Sequence, residues 1–166
     1  GSDDGTREYF ECLPHAKKIN LTYNIPGFDA AQHIAEGKYY IGYSNDVIAT
    51  PHWLDHLFTA MESDPHIAFA VPTCNEEGVS NRQGVPVPYQ NVLADVEKMQ
   101  AFAAKHNHRN PALWEERPVL MPFLYIARMD VYRLGSPDPC YTRLEFVDDD
   151  LSTLLRRTGW RQLLLM

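Results

Sequence analysis

The chain has 166 residues, 45% apolar and 22% charged, an ordinary globular balance that allows one domain with a core of its own. A net charge of −7, with no basic stripe beyond Arg156-Arg157, argues against nucleic-acid binding. Cys12, Cys74 and Cys140 are odd in number and lack metal-ligand spacing, which fits a reducing, cytoplasmic setting, and no apolar run approaches the ~20 residues that span a bilayer.

In chain order, Thr6 to Leu13 reads as a short helix with Pro14 behind it. Residues 17–23 alternate as a strand that "NIPG" breaks. Residues 28–37 read as a helix closed by Gly37, and "KYYIGY" (38–43) as a buried strand. Thr50 is a good N-cap and Pro51 a good first helical residue for a helix with the apolar stripe Trp53, Leu54, Leu57, Phe58 and Met61. Trp53 is expected in the core. "IAFAVP" (67–72) is the next strand, and residues 73–91, rich in Gly, Asn, Pro and Gln, form one long loop.

An amphipathic helix follows over 92–106, then a strand over 117–128 in which Pro122 has to sit at a bulge or edge. A short helix over 128–134 ends at Gly135, and a helix over 148–158, capped at Gly159, leads into a final strand. Helices and strands alternate without repeats, the pattern of an α/β layered domain. His106 and His108, just past a helix end, read as solvated residues rather than ligands, and Arg156-Arg157 as a solvated helix face.

Two acidic positions bear on chemistry. Asn45-Asp46 follows the strand 38–43, and a polar pair there is either a turn or a carboxylate held at a strand end for a metal ion. A single carboxylate is enough for Mg2+ or Mn2+ when substrate phosphates and water complete the shell. Asp148, Asp149 and Asp150 open the helix before the last strand. One of them suffices as a cap and all gain from the helix dipole, yet three adjacent like charges repel, and the excess is what a catalytic or metal site requires.

Residues 37–72, with the strand, Asn-Asp, Pro-x-Trp-Leu and a helix before an apolar strand, resemble the middle of family 2 glycosyltransferases of the GT-A fold. Residues 125–160, with Leu-Gly, an aromatic, Asp-Asp-Asp-Leu-Ser and Arg-x-x-Gly-Trp, resemble the later segment of that family, and "DDGT" (3–6) its acidic nucleotide-contact motif. The resemblance implies a Rossmann-like mixed sheet flanked by helices. It implies an inverting transfer of sugar from a nucleotide-diphosphate donor to a glycan or lipid-linked acceptor. Asp46 would hold the divalent cation on the donor diphosphate, Asn45 would lie near the donor, and Asp3 or Asp4 near the nucleoside. Asp148 would be the general base with Asp149 beside it, and Glu145 would meet the acceptor. Apart from the resemblance, Trp114 in the loop 110–118 offers an aromatic face for stacking on an acceptor sugar, with simple packing the more common role for such a residue.

Ser44 stands where the family often has a first Asp, Pro122 where a glycine often approaches the sugar, and the family's first strand would precede "DDGT". Residues 1–166 are therefore expected to be a single domain, incomplete at both ends, of a larger chain that could bring it to a membrane surface. Two readings follow: an active glycosyltransferase, or a degenerate domain of the same fold kept for binding or assembly. A sugar-nucleotide nucleotidyltransferase would need a Gly-rich phosphate loop near the amino terminus, and none is present.

Overall fold

Apolar strands and one-sided helices dictate a layered architecture, and a computed structural model shows it for residues 3–19, 27–75, 82–90, 93–135 and 146–166. Five strands form one mixed sheet: β1 (Tyr39–Tyr43), β2 (Ile67–Pro72), β3 (Glu115–Glu116), β4 (Leu124–Arg128) and β5 (Arg161–Leu165), in the order β1-β4-β2-β5-β3. β2 and β5 are parallel, whereas β4 runs antiparallel to β1 and β2, and β3 antiparallel to β5. The carboxyl ends of β1, β2 and β5 therefore share one end of the sheet with the amino end of β4.

The helices are α1 (Thr6–Cys12), α2 (Gly27–Ile34), α3 (Trp53–Ser63), α4 (Val96–His106), α5 (Met129–Tyr132) and α6 (Val147–Arg157). Strand alternation gives the sheet two apolar faces. On one, α3 lays Leu57, Ala60 and Met61 against Ile67, Ala70, Ile126 and Leu163. The other carries Tyr40, Phe69, Val71, Tyr125 and Leu164, covered by Leu151 and Leu155 of α6 and by Ala31 of α2. A bulge between Ile67 and Phe69 resets the alternation of β2. No helix among the described residues is long and apolar enough to cross a membrane.

Several boundaries differ from those expected. α2 ends at Ile34, before Gly37, and side chains from elsewhere bond the carbonyls at its end: Lys17 donates to Ile34 O at 3.1 Å and Arg133 to the following Ala35 O at 2.6 Å. α3 begins at Trp53 after a left-handed His52 (φ 64°), and Thr50 is not its cap. The Thr50 hydroxyl instead accepts from Asn107 Nδ2 at the end of α4 at 3.2 Å. None of the three aspartates caps α6 either, since Phe146, also left-handed (φ 67°), occupies that position and places all three in the first turn.

The strand expected over 117–128 is confined to β4. Pro122 lacks an amide hydrogen for a ladder, and the segment before β4 takes its partners from side chains: Gln162 Nε2 donates to Pro118 O at 2.8 Å, and Gln83 bonds Met121. The strand expected over 17–23 is irregular at 17–19, and residues 20–23 lie outside the described residues. Within the expected 73–91 loop, Cys74 N donates to Gln83 O at 3.0 Å and Val85 N to Cys74 O at 2.9 Å, an isolated bridge that extends the exit of β2.

Candidate functional site

The carboxyl end of the sheet gathers the features that carry chemistry. β1 leaves the sheet at Tyr43, opposite Leu124, and turns at once: Val47 N donates to Ser44 O at 3.2 Å, with Asn45 and Asp46 as the exposed central residues. The Tyr43 hydroxyl braces this turn, donating to Val47 O at 3.1 Å and accepting from Ala49 N at 3.0 Å. Ser44 N donates to Phe123 O at 2.9 Å, so the turn's base is held to the residue before β4.

Beside the turn lies a cleft of about 400 Å³, lined by Ala31, Tyr40, Gly42, Ser44, Pro122 and Tyr125 among others. Its floor is aromatic. Tyr40 stacks on Tyr132 with centroids 5.0 Å apart, and the Tyr125 and Tyr132 hydroxyls share a 2.8 Å hydrogen bond. Burial, and then the neighbouring Tyr132, push the Tyr125 phenol far above its ordinary ionisation, so it remains neutral. The three rings are themselves buried, so the cleft rests on packed core whose Tyr125 and Tyr132 hydroxyls satisfy each other.

α6 covers the same face of the sheet. It leads directly into β5, with Trp160 N donating to Leu155 O at 2.9 Å, and so runs antiparallel to that strand with its amino end at the end of the sheet that bears the turn. Its inward stripe is Asp148, Leu151, Ser152 and Leu155, at helical spacing. Asp148 is thus the half-buried polar start of an otherwise core-facing row. Burial raises its carboxyl above the ordinary Asp value, and the adjacent Asp149 charge adds to this, while backbone hydrogen bonds at Asp148 and Asp149 pull the other way. Asp149 is exposed.

By the sheet topology Asn45 and Asp46 and, on α6, Asp148 and Asp149 lie toward the same end of the sheet, with β4 and β2 between β1 and β5, and no α6 residue is among those that line the cleft. The structure does not bring Trp114 to the cleft. That side chain, half-buried, packs with the α3 layer on the opposite face. Asp3 and Asp4 are exposed ahead of α1, a helix with no buried residue. Asp4 accepts from Thr6 N at 3.1 Å, and hydrogen bonds from Thr6, side chain before backbone, lower its carboxyl, so a local turn already accounts for it. Glu145 and Cys140 lie outside the described residues. Cys12 is exposed and Cys74 half-buried. Sequence reasoning missed the tyrosine floor, for which the signal was the placement of Tyr40 and Tyr125 on the same face of paired strands.

No group of three or more His, Cys, Asp or Glu able to hold a metal ion occurs among the described residues. Asp46, exposed and single, fits a divalent cation only as one ligand in a shell that phosphate oxygens and water complete. Comparison with protein-family models, with curated proteins and with solved structures returns no match for this chain.

Proposed function

We propose that this chain is a glycosyltransferase domain of the GT-A type that transfers a sugar, with inversion, from a nucleotide-diphosphate donor to a glycan or lipid-linked acceptor. The observation that carries the reading is Asp148: a carboxylate on the inward stripe of α6, raised by burial, at the end of the sheet where the Asp46 turn and the tyrosine-floored cleft also lie. A raised carboxylate is a better proton acceptor than an ordinary surface Asp. In the proposed reaction Asp148 takes the proton of the acceptor hydroxyl as its oxygen attacks the anomeric carbon. The bond to the diphosphate breaks, and nucleoside diphosphate leaves.

When bound, Mg2+ or Mn2+ supplies charge neutralisation at the leaving diphosphate, and Asp46 is the residue that would hold it. Tyr40 and Tyr125, both buried, give the cleft a packed underside against which a sugar ring would rest.

A second reading, a domain of the same fold used for binding or assembly without catalysis, is favoured by Ser44 standing beside a single exposed carboxylate. The test is release of nucleoside diphosphate by the full-length protein from a panel of UDP-, GDP- and dTDP-sugars. Asp148→Asn is expected to cut turnover by about 10²–10⁴-fold with donor binding retained, and Asp149→Asn to be much milder. Full turnover in Asp148→Asn would remove the proposed base. No release with any donor would leave the binding role.

A further inference from the structure

Four consecutive residues, Leu120–Phe123, touch every element of the candidate site. Leu120 N donates to Ser152 Oγ of α6 over a long 3.4 Å, and the Leu120 side chain is buried in the same cluster as Leu155. Pro122 lines the cleft, and Phe123 O accepts from Ser44 N at the base of the Asp46 turn. Between these contacts, Met121 is held at both backbone groups by one side chain: its amide donates to Gln83 Oε1 at 2.6 Å, and its carbonyl accepts from Gln83 Nε2 at 3.1 Å.

Gln83 is fully buried, and its own carbonyl accepts from Cys74 N at the exit of β2. The preceding Arg82 is left-handed (φ 54°), a conformation that is unfavourable for a non-glycine residue and persists only where its surroundings fix it. A buried amide that reproduces a strand partner for a proline-interrupted segment is more than filler, because among the described residues no strand pairs with Met121.

We propose that Gln83 is a positioning residue for the site: by clasping Met121 it fixes the Leu120–Phe123 strap, and through the strap the placement of the Ser44–Val47 turn relative to the first turns of α6. The part of this that concerns transfer rests on the functional reading above. The part that concerns the strap does not.

Amide hydrogen exchange on the full-length protein tests it with Gln83→Leu, which removes both bonds, and Gln83→Glu, which keeps an acceptor for Met121 N. Gln83→Leu is expected to speed exchange at Ser44 and Leu120 by about tenfold more than at Ile126 in the sheet centre, with Gln83→Glu intermediate. The same variants should lower kcat in the transfer assay in that order, with a smaller change in donor KM. An equal rise at all three amides, or a change confined to Met121, overturns the proposal. If Gln83→Leu does not fold, Gln83→Glu is judged by the same criteria. If the wild-type protein transfers nothing, the functional reading fails, and exchange alone decides the strap.

Discussion

Gly42 and Tyr125 face each other across the β1–β4 ladder, and the tyrosine ring occupies the space where a side chain at position 42 would stand. A Cβ built on Gly42 would lie 2.0 Å from Tyr125 Cε1 and 2.2 Å from Cζ. The missing side chain is what leaves room for the ring, which packs at a tilt against Tyr40 and Phe69.

Gly42→Ala should therefore destabilise the fold by about 1–3 kcal/mol, the usual cost of overpacking a dense interior. Urea unfolding measures it. The loss should shrink in a Tyr125→Leu background, since the two sites share one space. Additive losses would mean that the ring relaxes elsewhere.

Asp148 gives a pH signature separate from catalysis. Its carboxyl is raised on folding from an ordinary 3.8, chiefly by burial, so the folded state favours the neutral acid. The stabilising contribution is full below that unfolded value and is lost as pH rises through the folded one. Asp148→Asn should accordingly melt at the same temperature as wild type at low pH and at a higher one near neutrality. Because Phe146 holds the cap position of α6, the substitution removes no cap bond. A lower melting temperature for Asp148→Asn at neutral pH would show that the carboxylate is structural.

Asp46→Ala should leave stability within about 0.5 kcal/mol of wild type, because Asp46 is an exposed turn residue. If the donor is held through a cation, the variant should lose the metal-dependent part of donor affinity, read by calorimetry with and without chelator. Equal donor affinity in the variant and in chelated wild type would place the whole metal effect at this residue.

At the opposite end of the sheet, the Arg128 guanidinium donates to Ile67 O at 2.7 Å, to Asp64 O at 3.1 Å, to Met61 O, and to the Tyr39 hydroxyl at 3.3 Å. It ties the end of α3 to the start of β2. An ammonium cannot reproduce that fork, so Arg128→Lys should cost ~2–3 kcal/mol in chemical denaturation, without altering the cleft.

Strands β1, β2 and β5 were legible in the sequence because each is a short apolar run bounded by turn residues. The helices α3, α4 and α6 were legible from their stripes, with α6 beginning next to its expected start and α3 and α4 later than expected. Thr50 and Asp148 are good caps in isolation, but the Thr50 hydroxyl bonds Asn107, and left-handed His52 and Phe146 take the cap positions of α3 and α6. Such choices depend on neighbours distant in the chain. For the same reason Gln83 passed as one more polar loop residue: its bonds reach Met121 and Cys74, and nothing local announces them. Trp114 was ambiguous because an aromatic in a loop gives no sign of which face of the sheet it will meet. Asp46 and Asp148 stand out in the sequence by residue type and setting, but their placement relative to each other depends on sheet topology, which no local pattern carries.

The position of β4 has a consequence for how this protein is made. β1 and β2 are consecutive in the chain yet are not neighbours, because β4 lies between them, and the parallel partner of β2 is β5, the last strand. A ribosome delivers β1 and β2 first, so among the described strands neither has a hydrogen-bonding partner until residues 124–128 emerge. The five described strands are all present only when residues 161–165 follow. Contacts this distant in sequence form slowly, and exposed apolar edges favour association with other nascent chains. Yield in the cell should therefore depend on translation speed and chaperone supply more than the equilibrium stability of the finished sheet would suggest.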